Sequence, residues 1–245
     1  MKAKVLSVLA SMMVLAATVR AGDDAAASVS AAKSLEQISV DAQTVLSKDK
    51  IQNTFDLYRK LKDYGLTYQA SLTAPNNLVS VLSDEQLRLY AGVKLFDALY
   101  AVTFLKRQEV ADCVGVIESI QDKLDLRSHA DINNTYLENL KKAAAAPEDV
   151  DVQKLIEQLA ADYVSEWPKL MSSVESADYV IDGLYGFIIE MSYITGAVMA
   201  TASREQIEEG FDRYGSGESY KMVLDLFQAF DRMDEKIRVS GATQE

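Results

Sequence analysis

Apolar residues recur three and four positions apart along almost the whole chain, and only Pro75, Pro147 and Pro168 interrupt that rhythm. Such spacing gathers the apolar side chains of each segment on one face of a helix. No stretch bounded by turn residues alternates with the period of two that a half-buried strand needs. The chain reads as all-α, an antiparallel bundle of about eight helices joined by short loops.

The segments follow from stripes and punctuation. Leu35, Ile38, Ala42, Val45 and Leu46 make one stripe; Ile51, Phe55, Leu57, Tyr58, Leu61 and Tyr64 make the next, which Gly65 is suited to stop. After the loop at Pro75-Asn76-Asn77, Ser83-Asp84-Glu85-Gln86 has the form of a capping box. A long helix should start there and run through Tyr90, Phe96, Leu99, Tyr100 and Phe104, followed past a kink near Lys106-Arg107 by one carrying Cys113 to Leu124. Asp131 can cap a helix through Tyr136, Leu137 and Leu140, and Pro147 suits the first turn of a helix through Val152, Ile156, Leu159 and Tyr163. The most apolar helix runs from about Val174 to Ala200, another starts at Ser203, Tyr214 to Gly217 form a break, and the last helix spans Tyr220 to Ile237.

The N-terminus sets the compartment. Lys2 and Lys4 precede a mostly apolar run from Val5 to Ala17, and Val19 and Ala21 supply the small residues of a cleavage site. Residues 1–21 read as a secretory signal peptide, 22–29 as a mobile lead and 30–240 as a single helical domain. Asp97-Ala98-Leu99-Tyr100-Ala101 and Asp182-Gly183-Leu184-Tyr185-Gly186 share the pattern Asp, small, Leu, Tyr, small, which raises a division into two related halves, about 30–145 and 146–240. The expected location is periplasmic or secreted.

The full chain carries a net charge of −12, and removal of Lys2, Lys4 and Arg20 with the leader makes it more negative still. Nucleic acid and anionic headgroups are bound chiefly by Lys and Arg, so neither is an expected partner. Cys113 is the one cysteine, so no intrachain disulfide can form; its place on the apolar stripe with Val110, Val114 and Ile117 makes it a buried small hydrophobe.

His129 is the one histidine. That excludes di-iron bundle motifs and His-Glu-x-x-His zinc sites, each of which needs two. No Cys-x-x-Cys-His binds haem, and no Gly-x-Ser-x-Gly elbow presents a nucleophile. The acids Glu205, Glu208, Glu209 and Asp212, and Asp231, Asp234 and Glu235, fall at helical spacings without a calcium loop and read as solvated faces. No metal and no cofactor is expected. Asn133-Asn134-Thr135 is a glycosylation sequon that would matter in a eukaryotic secretory pathway.

Two apolar helices remain. The segment Tyr179 to Ala202 approaches the length of a membrane span, but Asp182 and Glu190 interrupt it and no Lys/Arg cluster flanks it, so it reads as a central helix rather than a span. Asp97 and Asp182 then sit where a carboxylate needs a partner. Lys94 precedes Asp97 by three residues and can reach it on the same face, whereas Asp182 has the like charge of Asp178 one turn earlier. A polar centre of Asp97, Asp182, Glu190, Tyr100, Tyr185 and Tyr193 is the candidate ligand site, set against the plainer reading that these acids sit at the edge of an apolar face. The expected function is an exported, non-catalytic helical protein that binds another protein or itself. The alternative is a carrier of an apolar small molecule inside the bundle, and an enzyme working with carboxylates and tyrosines ranks last.

Overall fold

The computed structural model describes residues 58–60, 62, 63, 65–126, 135–147, 151, 152, 154–159, 161, 174–201 and 203. The leader, the stripes before Tyr58, His129, the sequon asparagines, Pro168, both acidic clusters and the last helix lie outside these residues. Among the described residues there is no strand, and the chain is all-α. Among the described residues four helices carry most of the core: α1 (Asp84–Thr103), α2 (Arg107–Lys123), α3 (Thr135–Ala144) and α4 (Val174–Thr201).

The start of α1 lies where the sequence predicts. Ser83 Oγ accepts from the Gln86 amide at 3.4 Å while the Ser83 amide donates to Gln86 Oε1 at 3.0 Å, so both limbs of the capping box are made. From Tyr90 to Thr103 every residue of α1 is buried, which no amphipathic surface helix can do. Its end is sharp. Leu105 adopts φ 55°, its amide donates to Val102 O at 3.0 Å and the Lys106 amide to Ala101 O at 2.9 Å, closing a Schellman-type turn before α2. Gly65, at φ 90°, likewise takes the left-handed conformation expected of a helix stop.

Pro147 departs from expectation. It is exposed and outside any helix, and the next described helical turn is capped instead by Asp151, whose Oδ1 accepts from the Lys154 amide at 3.2 Å. A carboxylate at the N-cap satisfies a free amide, which a proline in the first turn cannot do.

Helices α1 and α4 pack with their backbones in contact. A Cβ on Gly92 would overlap the carbonyl oxygen of Gly183, and one on Gly186 would overlap that of Leu89. Arg88 meets Asp182 and Asp97 meets Glu190, so partner numbers rise together and the two helices run parallel. Antiparallel order is expected of helices joined by a short loop, and these two are separated by α2, α3 and the segments between them. Around the crossing, Phe96 packs edge-on against Phe187 at 5.1 Å, and Cys113, Ile117, Leu137, Leu140 and Ile188 complete the core. Among the described residues no helix is long and apolar enough to cross a membrane.

Candidate functional site: a buried amine and two carboxyls

Residues 65–83 run between helices without regular structure, and a segment of that length must find partners for its backbone groups. The core helices supply them. Lys94 Nζ donates to Ala74 O at 2.5 Å, the Ala74 amide donates to Asp97 Oδ2 at 3.1 Å, and Tyr90 donates its hydroxyl to Pro75 O. The Gln69 amide donates to the Tyr100 hydroxyl at 3.3 Å, and Lys123 Nζ reaches Val79 O at 2.8 Å and Leu82 O at 3.2 Å. The loop is thereby fastened to α1 and α2 by side chains rather than by its own turns.

At the centre of this fastening, Lys94 Nζ lies 2.9 Å from Asp97 Oδ2, with side chains 1% and 0% exposed. Oδ2 thus takes both Lys94 and the Ala74 amide. Among the described residues no N–H or hydroxyl donor reaches Oδ1. The carboxyl of Glu190, from α4 and itself buried, is also hydrogen-bonded to the Asp97 carboxyl. Two carboxyls can be joined this way only if one carries a proton. Burial pushes Glu190 up to about 9, with the Asp97 charge adding to it. Burial also raises Asp97, but the charge and hydrogen bond of Lys94 oppose that rise, so the shared proton resides on Glu190. The centre is an ammonium, a carboxylate and a carboxylic acid.

Aromatic rings enclose it. Tyr58 and Tyr100 meet edge to face at 5.4 Å, Tyr68 lies 5.1 Å from Tyr100, and the Tyr58 hydroxyl bonds Thr195 Oγ1 at 2.6 Å. Burial holds the Tyr58, Tyr68 and Tyr90 hydroxyls well above the usual phenol range. It pushes the Cys113 thiol up to about 12, which leaves that cysteine a protonated packing residue.

The six residues singled out in the sequence do not all converge. Asp97 and Glu190 meet directly, and burial raises the hydroxyl of partly buried Tyr193, with nearby Glu190 adding to that rise. Asp182 lies apart: its Oδ2 pairs with Arg88 Nε at 2.7 Å at the rim of the helix pair, with 13% of its side chain exposed. Tyr185 is a partly buried residue against the core. Lys94, three residues before Asp97, was visible in the sequence as its partner. Arg88, Tyr58 and Ala74 were not, since nothing local links them to residues across the fold.

A second polar cluster joins α2, α3 and α4. Gln121, fully buried, holds the hydroxyls of Tyr136 and Tyr179 with its Nε2 at 3.5 Å each. Beside it, between α1 and α4, a cavity of 20 Å³ lined by Ala91, Gly92, Leu95, Tyr136, Tyr179, Val180 and Gly183 has room for about one water molecule. A larger recess lies outside. A groove of 540 Å³ opens between the loop at Asn76, Asn77, Val79 and Ser80 and the face of α2 formed by Ala111, Asp112, Gly115, Val116 and Ser119. No protein-family model, curated protein or solved structure matches this chain.

Proposed function

We propose that this chain is an exported, non-catalytic protein, periplasmic or secreted, folded as a bundle of about eight helices, that works through its surface by binding another protein or a second copy of itself. The observation that supports this reading is that the interior is closed among the described residues. Lys94 and Asp97 direct their hydrogen bonds to Ala74, and glycine contacts seal α1 against α4, while the 540 Å³ groove lies open on the outside. That volume is in the range of sites that accept small ligands or a few side chains.

The second reading, a carrier of an apolar small molecule with Asp97, Asp182, Glu190, Tyr100, Tyr185 and Tyr193 about the ligand, draws on the cluster of Tyr58, Tyr68 and Tyr100 beside the acids. The close approach of Gly92 to Gly183 weighs against it.

Photo-crosslinking in the native host separates the two. A crosslinker at Ser80 or Ser119 should give a discrete protein adduct, and one at exposed Lys142 of α3 should not. Equal adducts at all three positions, or none, would reject the groove. A small compound carried through purification and visible by native mass spectrometry would favour the carrier.

A further inference from the structure

Lys94 and Asp97 are an amine and a carboxyl held in contact, shielded from water, with a second carboxyl hydrogen-bonded to the first. We propose that this triad is a site of self-catalysed covalent modification, in which Lys94 Nζ condenses with the Asp97 carboxyl to form an intrachain amide and Glu190 relays the protons.

Each requirement of that reaction has a residue. Contact at 2.9 Å replaces a bimolecular encounter, and well-oriented groups of this kind react as if present at about 10⁵–10⁸ M. A proton passing along the Lys94–Asp97 contact frees the Nζ lone pair that attacks. The Ala74 amide, 3.1 Å from Oδ2, is placed to stabilise the negative charge that develops there when nitrogen attacks Cγ. Glu190 is hydrogen-bonded to the Asp97 carboxyl, and Oδ1, which no described N–H or hydroxyl holds, is the oxygen that must leave.

The protons balance. The Nζ lone pair forms the new bond to Cγ, and the Cγ–Oδ1 bond breaks. Two of the three ammonium protons depart with Oδ1 as water, passed through Glu190, which ends protonated as it began. No oxidant, reductant or further reactant is needed. Oδ2 remains as the amide oxygen, still accepting from the Ala74 amide, and the remaining N–H still donates to Ala74 O. The loop keeps both hydrogen bonds through the reaction, while the new covalent bond joins two side chains of α1.

The test is peptide mass spectrometry on the full chain, unfolded and digested with trypsin. An acylated Lys94 is no longer a trypsin site. The wild-type chain should yield the peptide Leu89 to Lys106 uncut at Lys94 and lighter by one water. Glu190→Gln, with its helical circular dichroism checked against wild type, should yield cleavage after Lys94 at full mass. Wild type cleaved after Lys94 at full mass would leave a plain ion pair and overturn the proposal. So would loss of water with Lys94 still cleaved, which marks a succinimide formed by Asp97 on its own backbone. A linked peptide in folded Glu190→Gln would remove Glu190 from the reaction. The wild-type digest decides whether the bond exists even if the variant fails to fold.

Discussion

Glu190 on α4 holds a proton against the carboxyl of Asp97 on α1, so one hydrogen bond between two acids joins the two central helices. An acid whose folded value is raised gives a stabilising contribution that is complete at low pH and lost as pH climbs. For Glu190 the window opens near its ordinary value of 4.5 and closes near 9. Within it the unfolded chain releases a proton that the folded chain keeps, so stability falls with pH by at most about 1.4 kcal/mol per unit. Denaturant melts between pH 5 and 9 should show this decline in wild type and a flatter line for Glu190→Gln. Burial is the larger cause of the shift, so the slope should persist whether or not Lys94 is linked to Asp97.

The glycines make a sharper comparison. Gly92→Ala places a methyl into the Gly183 carbonyl and must push α4 away from α1, whereas a methyl on Gly115 meets nothing within 4 Å. Gly92→Ala should destabilise by about 1–3 kcal/mol or more. Gly115→Ala, in the middle of α2, should stabilise by about 0.5–1 kcal/mol, because alanine loses less backbone freedom on folding. Thermal melts of both variants check this, and similar losses in the two would show that the helices are not in backbone contact at Gly92.

Asp182 illustrates what the sequence left illegible. Local spacing shows only the like charge of Asp178 as its neighbour; its ion pair with Arg88 crosses from α4 to α1 and has no local trace. The same limit hid Ala74, whose role depends on its backbone rather than on its side chain. Features within a few residues were legible: the Ser83–Gln86 box, Gly65 as a stop, Lys94 within reach of Asp97, Cys113 in the core. The failure at Pro147 belongs to the same group, because Asp151 offered a competing cap nearby and the side-chain oxygen prevailed. Periodicity could not tell a stripe facing one neighbour from a helix buried on every side, as α1 is from Tyr90 to Thr103.

A double-mutant cycle measures the Arg88–Asp182 pair. With 19% and 13% of the side chains exposed, the pair is only partly screened by solvent. Asp182→Asn and Arg88→Met should each destabilise, with a coupling energy of about 0.5–3 kcal/mol between them. A coupling indistinguishable from zero in chemical denaturation would mean that the contact at the rim contributes nothing.

The loop gives the most demanding prediction. Removing one member of a buried ion pair leaves the other uncompensated, so Lys94→Met should cost about 3–5 kcal/mol. Replacing both members of such a pair by apolar residues often restores stability. Here it should not, because Lys94 and Asp97 also satisfy Ala74 O and the Ala74 amide, and the Asp97 carboxyl receives Glu190. In Lys94→Met/Asp97→Leu those groups lose their partners together, at about 1–3 kcal/mol for each buried group left unsatisfied. The double variant should therefore remain well below wild type in denaturant melts. It should also expose residues 65–83 to limited proteolysis before the core helices are cut, since the remaining ties at Gln69, Pro75, Val79 and Leu82 flank the released centre. A double variant as stable as wild type, with the loop still protected, would mean that Ala74 finds other partners and that the buried pair does not hold the loop.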